Sequence, residues 1–94
     1  MNNIYQAGKY YKRNLGGFAK EYIKITEDKK YGIYKCFVIK WELILDRCFY
    51  SVGETSMTET FLNSCGVEES SKEEFGNVLS FAEDKIKEIL ESEK

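Results

Sequence analysis

The side chains that most often carry catalysis or bind metals are scarce in this chain. It has no histidine and three widely spaced cysteines, Cys36, Cys48 and Cys65, which form no Cys-x-x-Cys pair. Without histidine, the common serine–histidine and cysteine–histidine nucleophiles cannot form, and most zinc and haem ligand sets are ruled out. The seven glycines form neither a dinucleotide-binding fingerprint nor a phosphate-binding loop. We therefore expect a protein that is not an enzyme and uses no metal or cofactor.

Carboxylates can also carry chemistry, and two adjacent pairs of them stand out, Glu68 with Glu69 and Glu73 with Glu74. Such pairs can serve as acid and base or hold a cation, but adjacent side chains diverge on a helix. The second pair, Glu73 and Glu74, also falls in the first turn of a predicted helix, where the helix dipole favours acidic residues. We interpret the acidic residues of the C-terminal half of the chain as surface charges that bind a partner. The candidates are Glu68, Glu69, Glu73, Glu74, Glu83, Asp84 and Glu88.

The net charge of −2 conceals two halves of opposite sign. Residues 1–47 carry ten lysines and arginines against five acidic residues, and residues 48–94 carry four against eleven. A dense negative surface on a small domain steers it towards a basic partner. The acidic half therefore predicts binding to a protein with a basic surface, and in a sharper version it mimics nucleic acid by taking the place of phosphates.

Basic and aromatic residues interleaved near the N-terminus suggest an alternative function. On a sheet, such residues can stack nucleic-acid bases and contact phosphates. The simpler interpretation is that lysines and tyrosines protect an exposed strand from aggregation. The alternative is a small nucleic-acid-binding protein, and its candidate face consists of Lys9, Lys12, Arg13, Lys20, Tyr22 and Lys24.

The cellular compartment is also predicted by the sequence. An odd number of cysteines fits free thiols in a reducing compartment better than a secreted disulfide scaffold. The most apolar region, residues 31–52, is interrupted by charged residues and is unsuited to crossing a membrane. The N-terminal residues have no secretory signal pattern. We expect a cytoplasmic protein without a membrane partner.

The elements that position these residues begin with a C-terminal helix. Ser71 followed by Glu74 is the pattern of a capping box. An apolar stripe with helical spacing follows, made of Phe75, Val78, Leu79, Ala82, Ile86, Ile89 and Leu90. Gly76 is costly inside a helix, which suggests that another backbone passes close to it. A short helix before it is predicted between Ser56 or Thr58 as the cap and Gly66 as the stop.

Strands are predicted upstream of these helices. Residues 18–26 alternate between an apolar face and a lysine-bearing face, which indicates a strand, and residues 9–14 suggest a weaker edge strand. Turns are expected at residues 15–17 and 27–30. Residues 31–52 fit strand and helix periods equally well, but their β-branched and aromatic content favours strands. We expect one strand over residues 31–45, bulged near Lys40, a turn at Asp46 and Arg47, and a return over residues 48–52.

These elements predict a single small α+β domain spanning residues 1–94. Its antiparallel sheet of three to four strands packs against the C-terminal amphipathic helix. The apolar stripe could alternatively support a homodimer. In size and composition the chain resembles the small inhibitors that phages and mobile elements encode, including anti-CRISPR proteins: short, acidic, single-domain and without catalytic residues. That resemblance implies a protein-binding inhibitor of a host protein.

Overall fold

The computed structural model describes residues 5–91. Their strands and helices follow one another in the order ββββαβα. The strands are β1 (Tyr10–Asn14), β2 (Ala19–Lys30), β3 (Ile33–Ile44), β4 (Arg47–Thr58) and β5 (Glu68–Glu69). The helices are α1 (Glu59–Ser64), between β4 and β5, and α2 (Lys72–Glu91), at the end.

The strands form one sheet in the order β4-β3-β2-β1-β5, and each pair is antiparallel. This arrangement confirms the predicted α+β fold, an antiparallel sheet with a C-terminal helix. The sheet has five strands where the sequence predicted three to four, because the two residues of β5 add to the outer side of β1. The predicted edge strand, β1, is therefore paired on both sides.

The apolar run of residues 31–52 forms most of the longest hairpin, which confirms the preference for strands. Leu45 and Asp46 have φ values of 50° and 67°, and they form a two-residue turn between the paired residues Ile44 and Arg47. Positive φ at both central positions matches the right-handed twist of the flanking strands. The predicted turn at Asp46 and Arg47 was therefore one residue late. The return strand is longer than predicted, because β4 continues to residue 58.

Two further predictions about turns and bulges were wrong. Residues 27–30, predicted as a turn, belong to β2, and the chain reverses at Tyr31 and Gly32, whose φ values are 56° and 77°. The polar composition of this stretch indicated a turn, whereas it forms an exposed strand end. The register irregularities lie on β2 between Ile25 and Lys30, and β3 pairs regularly on both sides of Lys40.

Each face of the sheet carries its own core cluster, because alternate residues of a strand point to opposite sides. On the α1 side, the buried residues include Ile23, Ile25 and, from the helix, Leu62, and all three are fully buried. On the α2 side, the cluster consists of Tyr22 and Ile39 from the sheet and Phe75 and Ala82 from the helix. The alternation predicted for β2 is thus confirmed, since Ile23 and Ile25 share one face and Tyr22 faces the other.

Helix α1 begins where the sequence predicted. The Oγ1 atom of Thr58 accepts a hydrogen bond from the Phe61 amide at 3.0 Å, which makes Thr58 the N-cap. The chain leaves the helix at Cys65, and Gly66 has a φ of 70°. A left-handed residue after a helix favours glycine, so the predicted stop at Gly66 is confirmed.

Helix α2 also starts as predicted. The Ser71 hydroxyl accepts a hydrogen bond from the Glu74 amide at 3.0 Å. Phe75 and Ala82 are buried, and Val78 and Leu79 are half-buried against the sheet. Gly76 is exposed, and a Cβ there would meet no atom within 4 Å. The prediction that a backbone approaches Gly76 is therefore wrong.

The apolar stripe of α2 does not remain covered along its whole length. Ile86 and Ile89 lie on the same helix face as Phe75 and Ala82, but they are 39% and 49% exposed. The helix starts over β1, where the Phe75 ring lies 5.2 Å from the ring of Tyr10. Tyr50 of β4 packs against the cluster that contains Phe75 and Ala82. The last turns of the helix therefore carry apolar side chains that the sheet does not fully cover. Within residues 5–91, no helix is both long and apolar enough to span a membrane.

Candidate partner-binding surface

The predicted acidic surface is built at the junction of β5 and α2. Strand β5 pairs with β1, with Glu69 opposite Tyr11 and Glu68 opposite Lys12. The Ser70 amide then donates a hydrogen bond to the Tyr10 carbonyl at 2.9 Å, and Ser71 caps α2. Backbone pairing and the cap together fix the short link between strand and helix. This junction places Glu68, Glu69 and Glu73 at one edge of the molecule, which we call the acidic corner. Glu68 and Glu69 point to opposite faces of the sheet, with Glu68 on the side of Lys12 and α2.

The acidic corner is open to solvent. Glu68, Glu69 and Glu73 are all exposed. Among the residues that the structure describes, none of the three forms an ion pair with a lysine or arginine within 4 Å. Residues 68–73 carry three negative charges against the single positive charge of Lys72, and this excess produces a local negative potential that attracts cationic groups.

Glu74 belongs to the same sequence cluster but has a different role. Its carboxylate accepts hydrogen bonds from the hydroxyl of Ser70 and from Nζ of Lys12, the latter at 3.0 Å. These two contacts, the Ser70 hydrogen bond first, lower the pKa of Glu74 below its ordinary value. The same ion pair raises the pKa of Lys12. Glu74 therefore ties α2 to β1 and is less available to a partner than its neighbours.

The remaining acidic candidates lie further along α2. Glu83, Asp84 and Glu88 are exposed, and a Glu88 carboxylate oxygen lies 3.7 Å from Nζ of Lys85. At about 1.5 Å of rise per residue, Asp84 lies roughly 16 Å along the helix from Glu73. We call this second group, Glu83, Asp84 and Glu88, the helix ridge. The structure thus separates the seven predicted residues into the corner, the ridge and the internally paired Glu74.

The residues predicted as an alternative nucleic-acid face are dispersed. Lys12, Lys20, Tyr22 and Lys24 share the face that α2 covers, whereas Arg13 points to the opposite face. Tyr22 is only 6% exposed beneath α2. An aromatic ring in that position offers no surface on which a base could stack.

The basic side chains of this set largely contact other residues of the chain. Lys24 lies over the ring of Tyr10, with Nζ 5.5 Å from the ring centre. Arg13 pairs with the buried carboxylate of Glu21, and its guanidinium lies 5.0 Å from the ring centre of Phe61. Together with the Lys12–Glu74 pair, these contacts use three of the five cations. Lys9 and Lys20 are exposed.

Cysteine chemistry at neutral pH is restricted in the core. The three cysteines are free thiols, and Cys36 is buried. Burial raises the pKa of the Cys36 thiol to about 11, so its thiolate is scarcely populated at pH 7. Within residues 5–91, no three or more cysteine, aspartate or glutamate side chains are grouped so that they could hold a metal ion.

The concave regions of the described surface are shallow. A groove of about 290 Å³ on the side opposite α2 is lined by residues that include Glu21, Lys40 and Ser51. A second cavity of similar volume lies between β1 and the start of α2, where Glu69 and Ser71 form part of its wall.

Sequence reasoning missed two exposed features, an apolar hairpin end and an open strand edge. The hairpin end presents Leu45, which is 91% exposed, and the neighbouring Phe18, which is 71% exposed. The outer side of β4 pairs with no strand in the described part of the chain. The long open edge was missed because the return strand was expected to end at residue 52, whereas β4 continues to residue 58.

No protein-family model, no curated protein sequence and no solved structure matches this chain. The function must therefore be inferred from the surfaces themselves.

Proposed function

We propose that this protein is a non-enzymatic binding module that docks on a basic surface of another protein through the acidic corner. The observation that carries the proposal is the exposure of Glu68, Glu69 and Glu73 without a cation partner among the described residues. The adjacent Glu74 is neutralised by Lys12. A chain that pairs one carboxylate of a cluster and leaves three unpaired has the charge distribution of a surface that steers and orients a basic partner.

The finer part of the proposal concerns the kind of partner. A closely spaced row of fixed negative charges can replace a nucleic-acid backbone in a basic channel. In that role the protein would inhibit a host nucleic-acid-binding protein, as the small inhibitors of phages and mobile elements do, including anti-CRISPR proteins. The proposal places it in the cytoplasm, where its three thiols stay reduced.

The test begins with the partner. The tagged protein is used to capture binding proteins from host lysate, with and without nuclease treatment, and the bound fraction is identified by mass spectrometry. We expect one abundant protein whose recovery is unaffected by nuclease. Recovery that disappears after nuclease treatment would contradict the proposal and favour a nucleic-acid-binding function.

Two triple variants then localise the binding surface. The corner variant carries Glu68→Gln, Glu69→Gln and Glu73→Gln. The ridge variant carries Glu83→Gln, Asp84→Asn and Glu88→Gln, and it is the matched control because it removes the same charge. We expect the corner variant to bind the captured protein at least tenfold more weakly by calorimetry, and the ridge variant to bind within about threefold of wild type. Equal losses in both would mean that net charge, not the corner, controls binding.

A further inference from the structure

Strand β4 is an open edge of unusual length. Its twelve residues span roughly 40 Å, at about 3.3 Å per residue. Natural edge strands are commonly short, or are protected by lysine, proline or a bulge. Strand β4 contains no lysine or proline, and its twelve pairs with β3 run without a break in register. Only Arg47 and Glu54 are charged in it.

The hydrogen-bonding groups of this edge can be assigned from the hairpin. Because Ile44 and Arg47 flank a two-residue turn, they form a hydrogen-bonded pair, and the bonding alternates from there along the strand. The odd-numbered residues of β4 therefore bond to β3. The backbone amides and carbonyls of the even-numbered residues from Cys48 to Ser56 point away from the sheet, towards a further strand.

Helix α2 leaves part of its apolar stripe uncovered. The helix face that is buried at Phe75 and Ala82 is 39% exposed at Ile86, and Tyr50 of β4 packs against the cluster formed by the buried part. A strand added to β4 would lie close to this uncovered stripe.

We propose that the added strand is β4 of a second copy, paired antiparallel about a two-fold axis through Ser51. A two-fold axis normal to the sheet keeps each face continuous, so residues opposite each other must both be odd-numbered or both be even-numbered. With Ser51 on the axis, Tyr50 of each copy lies opposite Val52 of the other. Aromatic and β-branched residues form favourable cross-strand pairs.

The other face of the same register is also complementary. Phe49, which is 48% exposed, lies opposite Gly53 of the second copy, so an aromatic ring covers a position that has no side chain. Arg47 lies opposite Thr55, and Glu54 lies opposite Cys48, so no like charges face each other. This register therefore brings complementary residues of the two copies together on both faces of the sheet. The dimer leaves the acidic corner free at the opposite edge of each sheet.

Sedimentation equilibrium gives the first test. The 11.0 kDa chain should sediment as a dimer, and Val52→Lys should weaken the dimer at least tenfold, because two lysines are brought together beside the axis. Asn77→Lys, at an exposed position of α2, is the matched control and should leave the dimer intact. A wild-type chain that is monomeric at high concentration would overturn the proposal, and so would a Val52→Lys variant that remains fully dimeric.

Disulfide formation tests the register independently of the stability of any edge variant. Glu54→Cys places a thiol opposite the native Cys48 of the second copy, and mild oxidation should give a covalent dimer on a non-reducing gel. The cross-link should disappear in a Glu54→Cys, Cys48→Ser double variant. Ser56→Cys, two residues further along the same face, should cross-link at least tenfold less. A stronger cross-link from Ser56→Cys would show that the proposed register is wrong.

Discussion

The two edges of the sheet differ in length, charge and covering. At the β1 side, the edge is closed by the two residues of β5 and by the start of α2, and it carries the acidic corner. At the other side, β4 is an open edge of twelve residues, of which two are charged. A charged, short edge resists pairing with other strands, whereas a long edge with few charges invites it. The contrast suggests that one edge recognises a different molecule and the other a copy of the chain.

Helix α2 connects the two edges and shows the same contrast within one element. Its first half is anchored by Phe75, whose ring lies 5.2 Å from that of Tyr10 and 6.2 Å from that of Phe37. Its second half contains Ile86 and Leu90, which are exposed. The junction that carries the acidic corner is therefore held by the core, whereas the last turns of α2 leave part of the apolar stripe exposed.

The largest effect is expected from Phe75→Ala. Removing a buried phenylalanine leaves a cavity between α2 and the sheet, and such changes lower the free energy of unfolding by about 3–5 kcal/mol. Ile86→Ala, measured at a concentration below dimer formation, should change it by less than about 1 kcal/mol. Urea denaturation followed by circular dichroism gives both values. Similar losses from the two variants would mean that α2 is packed evenly along its length.

A medium effect is expected where β4 passes into α1. Thr58→Ala removes the hydroxyl that accepts the Phe61 amide hydrogen bond, and loss of an N-cap costs about 1 kcal/mol. Thr58→Ser keeps the acceptor and should lose less than half as much stability. Thermal unfolding of the two variants compares them directly. An equal loss from serine and alanine would show that the threonine methyl group, and not the cap, is responsible.

The smallest effect is expected at Glu74, beside the acidic corner. Because its pKa is lowered in the folded state, the carboxylate adds stability above the ordinary glutamate pKa of 4.5, and this stability is lost as the pH falls through the lowered value. The pair is partly exposed, so we expect less than about 1 kcal/mol at pH 7. Urea denaturation of Glu74→Gln between pH 7 and pH 3 should show a smaller loss of stability than wild type. An unchanged pH profile would contradict the ion pair with Lys12.

Local patterns in the sequence predicted much of this fold, because they depend on neighbouring residues. The caps at Thr58 and Ser71, the stop at Gly66 and the alternation of β2 all involve residues within a few positions of each other. Turn positions were less predictable. Leu45 adopts a positive φ although leucine disfavours it, because the pairing of two twelve-residue strands determines where the chain reverses.

The candidate surfaces were predicted less completely, since they depend on contacts between distant residues. Composition alone indicated that Glu68, Glu69 and Glu73 would be exposed. It could not show that Glu74 pairs with Lys12, which is 62 residues away. The alternation of residues 18–26 placed Tyr22 on the same face as Lys20 and Lys24. It could not reveal that α2 covers the ring of Tyr22. Spacing likewise could not reveal that the later residues of the apolar stripe of α2 stay partly exposed.

Amide hydrogen exchange tests most directly whether the two edges have different partners. Exchange is measured for the protein alone at low and at high concentration, and then with the captured partner protein added. We predict that raising the concentration slows exchange only at the even-numbered residues from Cys48 to Ser56, and that adding the partner slows exchange in residues 66–74. Partner-induced protection along β4, with residues 66–74 unchanged, would contradict the assignment of recognition to the acidic corner.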